Sequence, residues 1–225
     1  DLVSIKSQAF YSCLYLKVVC LTHSVQELGR DAFSECYRLR KVYISNKLET
    51  IPDHCFSRDG KLNRVLFTPA SELTAIGTES FSECGSLPFI LLPPHVTSIG
   101  DRAFYRCKSL AAVRFPKTLR YIGKKAFYFC AMDKLELPDT LEVLDESAFF
   151  KCVNLTEVVL PPSVRHIGKW VFHGCSRLTV LEIRHDPEYI GPWIINRAAR
   201  IRCYKGSKVD AYCRESGFTT EYIED

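Results

Sequence analysis

Large apolar residues return along this chain at intervals of 22 to 25 positions, and each return keeps the same internal spacing. The clearest copy, residues 99–116, reads I-G-x-x-A-F-x-x-C-x-x-L-x-x-V-x-F-P. With the Phe as marker, copies fall at Phe10, Phe33, Phe56, Phe81, Phe104, Phe127, Phe149 and Phe172. Five residues before it comes an aliphatic (Ile5, Leu28, Ile51, Ile76, Ile99, Ile122, Leu144, Ile167), and three after it a Cys in every copy but the third, which has Asp59. Two further apolar columns follow two residues apart, as in Val42 and Ile44, Val65 and Phe67, or Val113 and Phe115. A self-similar period of this length marks a solenoid, whose units cannot bury an apolar face alone and stack on copies of themselves.

Within one copy, L-x-x-V-x-F alternates apolar and other residues and is rich in β-branched types, which predicts a short strand. A Pro follows in several copies (Pro93, Pro116, Pro138, Pro161) and ends pairing, because it has no N–H to donate. A second extended piece such as 119–122 comes next, then a Gly expected to permit a turn (Gly123), then a helical or 3₁₀ turn over 124–127 that drops the Phe into the core. The expected architecture is an α/β solenoid of eight to nine coils with one parallel sheet face and a C-terminal cap. Stacked at roughly 4.8 Å per coil, it would be on the order of 40 Å long. The repeat stack is placed at 1–203 and the cap at 204–225. In the cap, Ser207 should start a helix over 209–215, Gly217 should stop it, and 218–223 should be extended. The chain opens inside a copy, so its first coil is expected to show an unpaired edge or to meet sequence upstream.

The balance of 30 basic and 26 acidic residues, net +4, is too mild for a nucleic-acid binder held by counterion release, and the basic residues form no stripe. No apolar run is long enough to span a membrane and no signal peptide is visible. Eleven cysteines would ordinarily suggest a disulfide framework, but seven share one column, which suits a ladder of buried thiols. Cys203 and Cys213, outside the column, are the one pair with a chance of bonding. The six histidines are scattered, no Cys forms C-x-x-C, and there is no phosphate-cradling loop or nucleophile motif. No catalytic residue, cofactor or metal site is therefore expected.

The residues between the core columns of the first strand must point outward. They form two rows. One runs Cys20, Tyr43, Leu66, Leu91, Arg114, Glu136, Val159, Glu182, and the other Val18, Lys41, Arg64, Phe89, Ala112, Lys134, Glu157, Val180. Tyr43, Leu66, Phe89 and Leu91, flanked by Lys41 and Arg64, make an apolar patch with a basic rim and are the candidate partner-binding residues. Later coils should show charge instead.

The motif, as it stands in 99–116 and again in 167–183 (Ile167, Gly168, Phe172, Cys175, Leu178, Leu181, Ile183), resembles the BspA-like leucine-rich repeats, which occur on bacterial and some protist surface proteins. The resemblance covers residues 1 to about 203. Departures are local: Pro52 and Asp145 replace the turn Gly, Asp59 the Cys, and Met132-Asp133 the spacer Leu. It implies a non-catalytic module at the cell surface or outside the cell, serving adhesion or host interaction by binding a protein ligand such as an extracellular host protein. Two alternatives stay open: an intracellular scaffold, which free thiols would suit, or a glycan-binding module in a larger surface protein, for which Trp170 and Trp193 are the only tryptophans.

Overall fold

The computed structural model of the chain describes residues 2–224. Its strands run in chain order β1 (Ser4–Ile5), β2 (Val18–Cys20), β3 (Glu27–Leu28), β4 (Lys41–Tyr43), β5 (Thr50–Ile51), β6 (Arg64–Leu66), β7 (Ala75–Ile76), β8 (Phe89–Leu91) and β9 (Ser98–Ile99). They continue as β10 (Ala112–Arg114), β11 (Tyr121–Ile122), β12 (Val143–Leu144), β13 (Glu157–Leu160), β14 (His166–Ile167), β15 (Val180–Ile183), β16 (Tyr189–Ile190) and β17 (Arg200–Cys203). Among the described residues a single helix, α1 (Lys208–Ser216), precedes the last strand, β18 (Thr219–Tyr222). Every pairing is parallel and joins equivalent positions of neighbouring coils, for example Val42 with Val65 and Ile99 with Ile122. The chain is thus the expected parallel-stranded stack of coils.

The core between the two strand columns is built of ladders. The marker Phe rings stack on one another from Phe10 to Phe172 with centroids 5.1 to 5.6 Å apart and planes within 12° of parallel. That separation exceeds ring thickness, so the rings are offset, as aromatic quadrupoles prefer. All are fully buried from Phe33 onward, but Phe10 is 39% exposed, because no coil among the described residues covers its outer face. Beside them the Cys thiols form a second ladder. From Cys36 onward each donates to the carbonyl of the marker Phe in the preceding coil, as Cys107 does to Phe81 and Cys130 to Phe104, at 3.1 to 3.3 Å. All eleven cysteines are free, Cys203 and Cys213 included; Cys13 is half-buried at the open end and Cys20 is exposed.

The segment around the Phe has the i→i+3 bonding expected of a tight turn without being a helix. In one coil, Ala103 N–H bonds to Gly100 O, Tyr105 N–H to Arg102 O and Cys107 N–H to Phe104 O. The alternate donors of Arg102, Phe104 and Arg106 go to Lys124, Ala126 and Tyr128 of the next coil. A helix would direct every N–H along its own axis and leave none for the neighbouring coil. The alternation requires left-handed backbone two residues before and two after the Phe, and the chain adopts it with ordinary side chains such as Arg102 and Arg106 (φ 52° and 56°). Such residues each cost roughly 1–2 kcal/mol relative to right-handed backbone, and the inter-coil bonds offset it. Gly123, expected as a conformational turn residue, is not left-handed. It is there for space: a Cβ would stand 2.6 Å from Asp101 Oδ1 and 2.8 Å from Asp101 N in the preceding coil.

Proline decides where the sheets stop. In the rear column the residue after each strand donates backward, as Gly77 N–H does to Ile51 O; Pro52 cannot, and β1–β3 separates there from the seven-stranded rear sheet β5-β7-β9-β11-β12-β14-β16. In the front column Arg40, Asn63 and Ala111 donate to Lys17, Arg40 and Pro88. Pro88, the equivalent residue between them, has no N–H, and β2-β4-β6 separates from β8-β10. A further front break follows β10, where the shortened spacer 131–133 leaves no strand in that coil. At the far end β13-β15-β17-β18 is continuous. There Ser207 Oγ caps α1 by accepting from Asp210 N–H (3.1 Å), and Gly217 ends it in left-handed backbone.

Candidate functional site

The front break opens a groove. Pro88 removes the ladder between β6 and β8, and the unit that follows β6 carries two extra residues in the loop around Thr68 and Pro69. Between them lies an open apolar groove of about 860 Å³, a size in the range of small-ligand sites at ~300–1,000 Å³. Leu66, Phe67, Phe89, Leu91 and Phe115 supply its apolar surface, and Pro69, Pro88, Pro93, Pro94 and Pro116 its borders. The charged residues in its wall are Arg64, Arg114 and Lys117, with no carboxylate among them. None of the three makes an ion pair among the described residues.

Of the residues singled out in the sequence, Leu66, Phe89, Leu91 and Arg64 meet in this groove. Phe89 and Leu91 are 47% and 53% exposed, whereas Leu66 is half-buried. Tyr43 and Lys41 lie one strand away on β4, outside the groove, and bind each other: Lys41 Nζ donates to the Tyr43 hydroxyl at 3.1 Å and stands 5.2 Å from the ring centre. The sequence pattern missed Phe67 and Phe115, which belong to a core column yet border the groove, and Lys117. The available signal was Pro88 itself, standing where its neighbours donate a bond.

The outward rows fail at the C-terminal end. Val180 and Glu182, expected on the exposed face, are buried. Arg202 on β17 bonds to Glu182 (2.9 Å), Glu221 (2.7 Å) and Glu157 (3.4 Å) and roofs this part of the sheet; Arg184 Nε adds a 2.5 Å bond to Glu182. Burial pushes the Glu182 carboxyl up, but the hydrogen bonds from Arg202 and Arg184 outweigh it and hold the group below the usual carboxylate range.

A second buried acid behaves in the opposite way. Asp59 fills a Cys position; its Oδ1 accepts from Cys36 N–H at 2.7 Å, while Oδ2 has no partner. Burial, with no cation beside it, pushes its pKa up to about 9, so it is neutral at pH 7. Burial likewise raises the ladder thiols, Cys36 and Cys175 to about 12, which leaves them protonated and unreactive.

On the turn edge, Tyr105, Tyr128, Phe150 and His173 form an external stack with centroids 4.9, 5.1 and 5.7 Å apart. Trp170 and Trp193 are exposed on the same edge, in left-handed backbone, each with a cation over its ring (Lys169 at 4.8 Å, Arg197 at 4.9 Å). Among the described residues no three His, Cys, Asp or Glu are grouped to hold a metal, and no helix is long and apolar enough to cross a membrane.

A family model described as BspA type Leucine rich repeat region matches residues 1–88 and 74–201, in six copies. Among solved structures, the chain is similar to the T. pallidum Leucine Rich Repeat protein at 24% identity, covering all of this chain and 81% of that one, with a TM-score of 0.46. It is similar to a leucine rich cell surface protein from Faecalibacterium prausnitzii A2-165 at 21% identity, covering all of this chain and 80% of that one (TM-score 0.47). The pneumococcal vaccine antigen PcpA matches at 15% identity over all of this chain and 85% of its own (TM-score 0.39). No curated protein sequence matches the chain.

Proposed function

The chain belongs to the BspA-type leucine-rich repeat family, and from that premise we propose that it is a non-catalytic module displayed at the cell surface, where it serves adhesion or host interaction by binding a protein ligand through its front sheet. The contact surface is centred on Leu66, Phe89 and Leu91, with Arg64 at the rim and Tyr43 and Lys41 on the adjoining strand. One observation carries the reading: Phe89 and Leu91 stand about half exposed together on β8 at an apolar groove, whereas Val18, Tyr43 and Val159, exposed on other front strands, line no part of it. Exposed apolar area costs about 25 cal/mol per Å², which a partner would recover, and clustered aromatic and aliphatic anchors are where binding energy concentrates. Placement at the cell surface rests on the family alone.

The test uses the double variant Leu66→Asp with Phe89→Asp. The purified protein and the variant are presented to an array of purified extracellular proteins and, in parallel, to a glycan array. The expected result is a protein hit bound by the wild type and lost by the variant at an unchanged melting temperature. Hits on glycans alone, or protein hits indifferent to the double change, would move the site to another face, with the Trp170 and Trp193 edge the next candidate.

A further inference from the structure

Given that the front sheet is the contact surface, the geometry points to the kind of segment it takes: we infer that the groove between β6 and β8 receives an extended peptide segment with one or two large apolar side chains flanked by carboxylates. The groove floor is apolar and its charge is of one sign. Arg64 enters from β6, and Arg114 and Lys117 from β10 and the loop after Pro116 two coils on, so cations from both sides aim at one opening. All three are exposed and none is neutralised by a carboxylate among the described residues, whereas further along the front face, in the separate sheet β13-β15-β17-β18, Arg202 is engaged by three glutamates. Cations beside an apolar floor act through a lower effective dielectric than bulk water, so an arriving carboxylate gains more there than on an open surface.

The opening suits a chain segment rather than other anionic partners. A nucleic acid bound through three cations would release few counterions, against the roughly 6–10 phosphate contacts of salt-dependent binders. An anionic bilayer is engaged by a protruding amphipathic face, and this apolar surface lies between coils. The prolines at its borders offer no N–H, so at those borders recognition falls to side chains: apolar anchors against Phe89, Leu91, Phe67 and Phe115, and carboxylates at Arg64, Arg114 and Lys117.

A random peptide library displayed on phage is selected against the whole purified protein, and the enriched peptides are remade with a fluorescent label for anisotropy measurements. Three variants are compared with wild type: Leu66→Asp with Phe89→Asp, Arg64→Glu with Arg114→Glu, and Arg64→Gln with Arg114→Gln, each checked by its melting curve. The expected result is enrichment of Asp and Glu within a few positions of Phe, Leu or Trp. Affinity should then fall about tenfold or more in the Glu variant and less in the Gln variant, and wild-type affinity should fall as salt is raised while that of the variants does not. Peptides lost on Leu66→Asp with Phe89→Asp, but without acidic enrichment and indifferent to the arginine changes, would leave the contact surface standing and overturn the inferred occupant. Peptides indifferent to all three variants would overturn the surface itself. Failure to select any peptide, or equal competition by single-stranded DNA or phosphatidylserine vesicles, would also overturn the inference.

Discussion

Between β6 and β8 the front strands face one another without pairing, whereas β13, β15, β17 and β18 bond into one four-stranded sheet. The two regions share the same repeat and apolar strand columns, and the Phe and Cys ladders run beneath both, with Asp59 in the Cys column under β6 and the last members, Phe172 and Cys175, under β15. They differ in the donor that Pro88 withholds, in the two extra residues around Thr68 and Pro69, and in what stands over the sheet. Pro88 withholds one N–H, the ladder opens, and apolar and cationic side chains are left without partners. At the far end the ladder is complete and Arg202 closes over three carboxylates. A repeat protein can therefore make a local opening without interrupting its core, because the strands and the Phe ladder are bonded independently.

The largest test of that statement is in the core. Phe81→Ala, beneath the opening, and Phe172→Ala, beneath the continuous sheet, should each cost about 3–5 kcal/mol in urea unfolding. A much smaller cost for Phe81→Ala would mean that the opening reaches the core. Phe10→Ala at the uncovered end should cost less than either, since that ring is already 39% exposed.

The two buried acids should respond to pH with opposite sign. Asp59 stays protonated in the fold up to about pH 9, while in the unfolded chain it ionises near pH 3.9. The folded state therefore holds the extra proton between those values, and this contribution to stability is full below about pH 4 and declines as pH rises toward 9. Asp59→Cys restores the column residue, should raise stability at pH 7 by about 1–3 kcal/mol by removing a buried group with an unmet partner, and should flatten that decline. Glu182 is held below its ordinary value, so its contribution is full above the unfolded pKa of about 4.3 and is lost as pH falls through the lower folded value. Arg202→Ala should lower the melting temperature at pH 7 and narrow its difference from wild type as the pH falls below 4. Matching slopes for the two acids in the wild-type protein and these variants would contradict the contrast between an unpaired and a paired buried carboxyl.

Thiol labelling separates the regions if the opening transmits to the core. Cys84, below the groove, and Cys152, below the continuous sheet, should both resist a thiol reagent in the native protein and react on unfolding, while exposed Cys20 reacts at once. Faster native labelling of Cys84 than of Cys152 would show the two regions to be unequal in depth.

The smallest expected effect is that of Pro88→Ala. The restored N–H can rebuild a bond to β6 worth about 0.5–1.5 kcal/mol, and losing proline's restriction of the unfolded chain takes back about 0.4–1 kcal/mol. Stability should stay within about 1 kcal/mol of wild type. Amide exchange over 89–91 should slow, and binding at the groove should weaken as the strands close.

The coil, its period and the identity of each core column were legible in the sequence, because burial repeats with the coil: a column that stacks on itself must stay apolar and of constant size, and Phe, Cys, Ile and Val do so. Resemblance to the BspA-like repeats followed from the same columns. The helix signals at Ser207 and Gly217 were legible as well, since capping is local chemistry. The left-handed pairs around each Phe were not, because Arg102, Lys125 and Phe129 carry no local preference for that backbone; the next coil's carbonyls impose it. The role of Gly123 was misread for the same reason, its constraint being the preceding coil's backbone rather than its own φ.

At the candidate site the sequence by itself determined which residues point outward, since strand alternation leaves Leu66, Phe89 and Leu91 no other direction. Only the tertiary structure decided that Lys41 and Tyr43 satisfy each other, that Val180 and Glu182 are roofed by Arg202, and that Arg114 and Lys117 share an opening with Arg64. Alternation is a property of one strand and survives in the sequence. Which side chains meet across coils depends on where a ladder opens or continues, and a single missing N–H at Pro88 sets that through bonds between residues more than twenty positions apart.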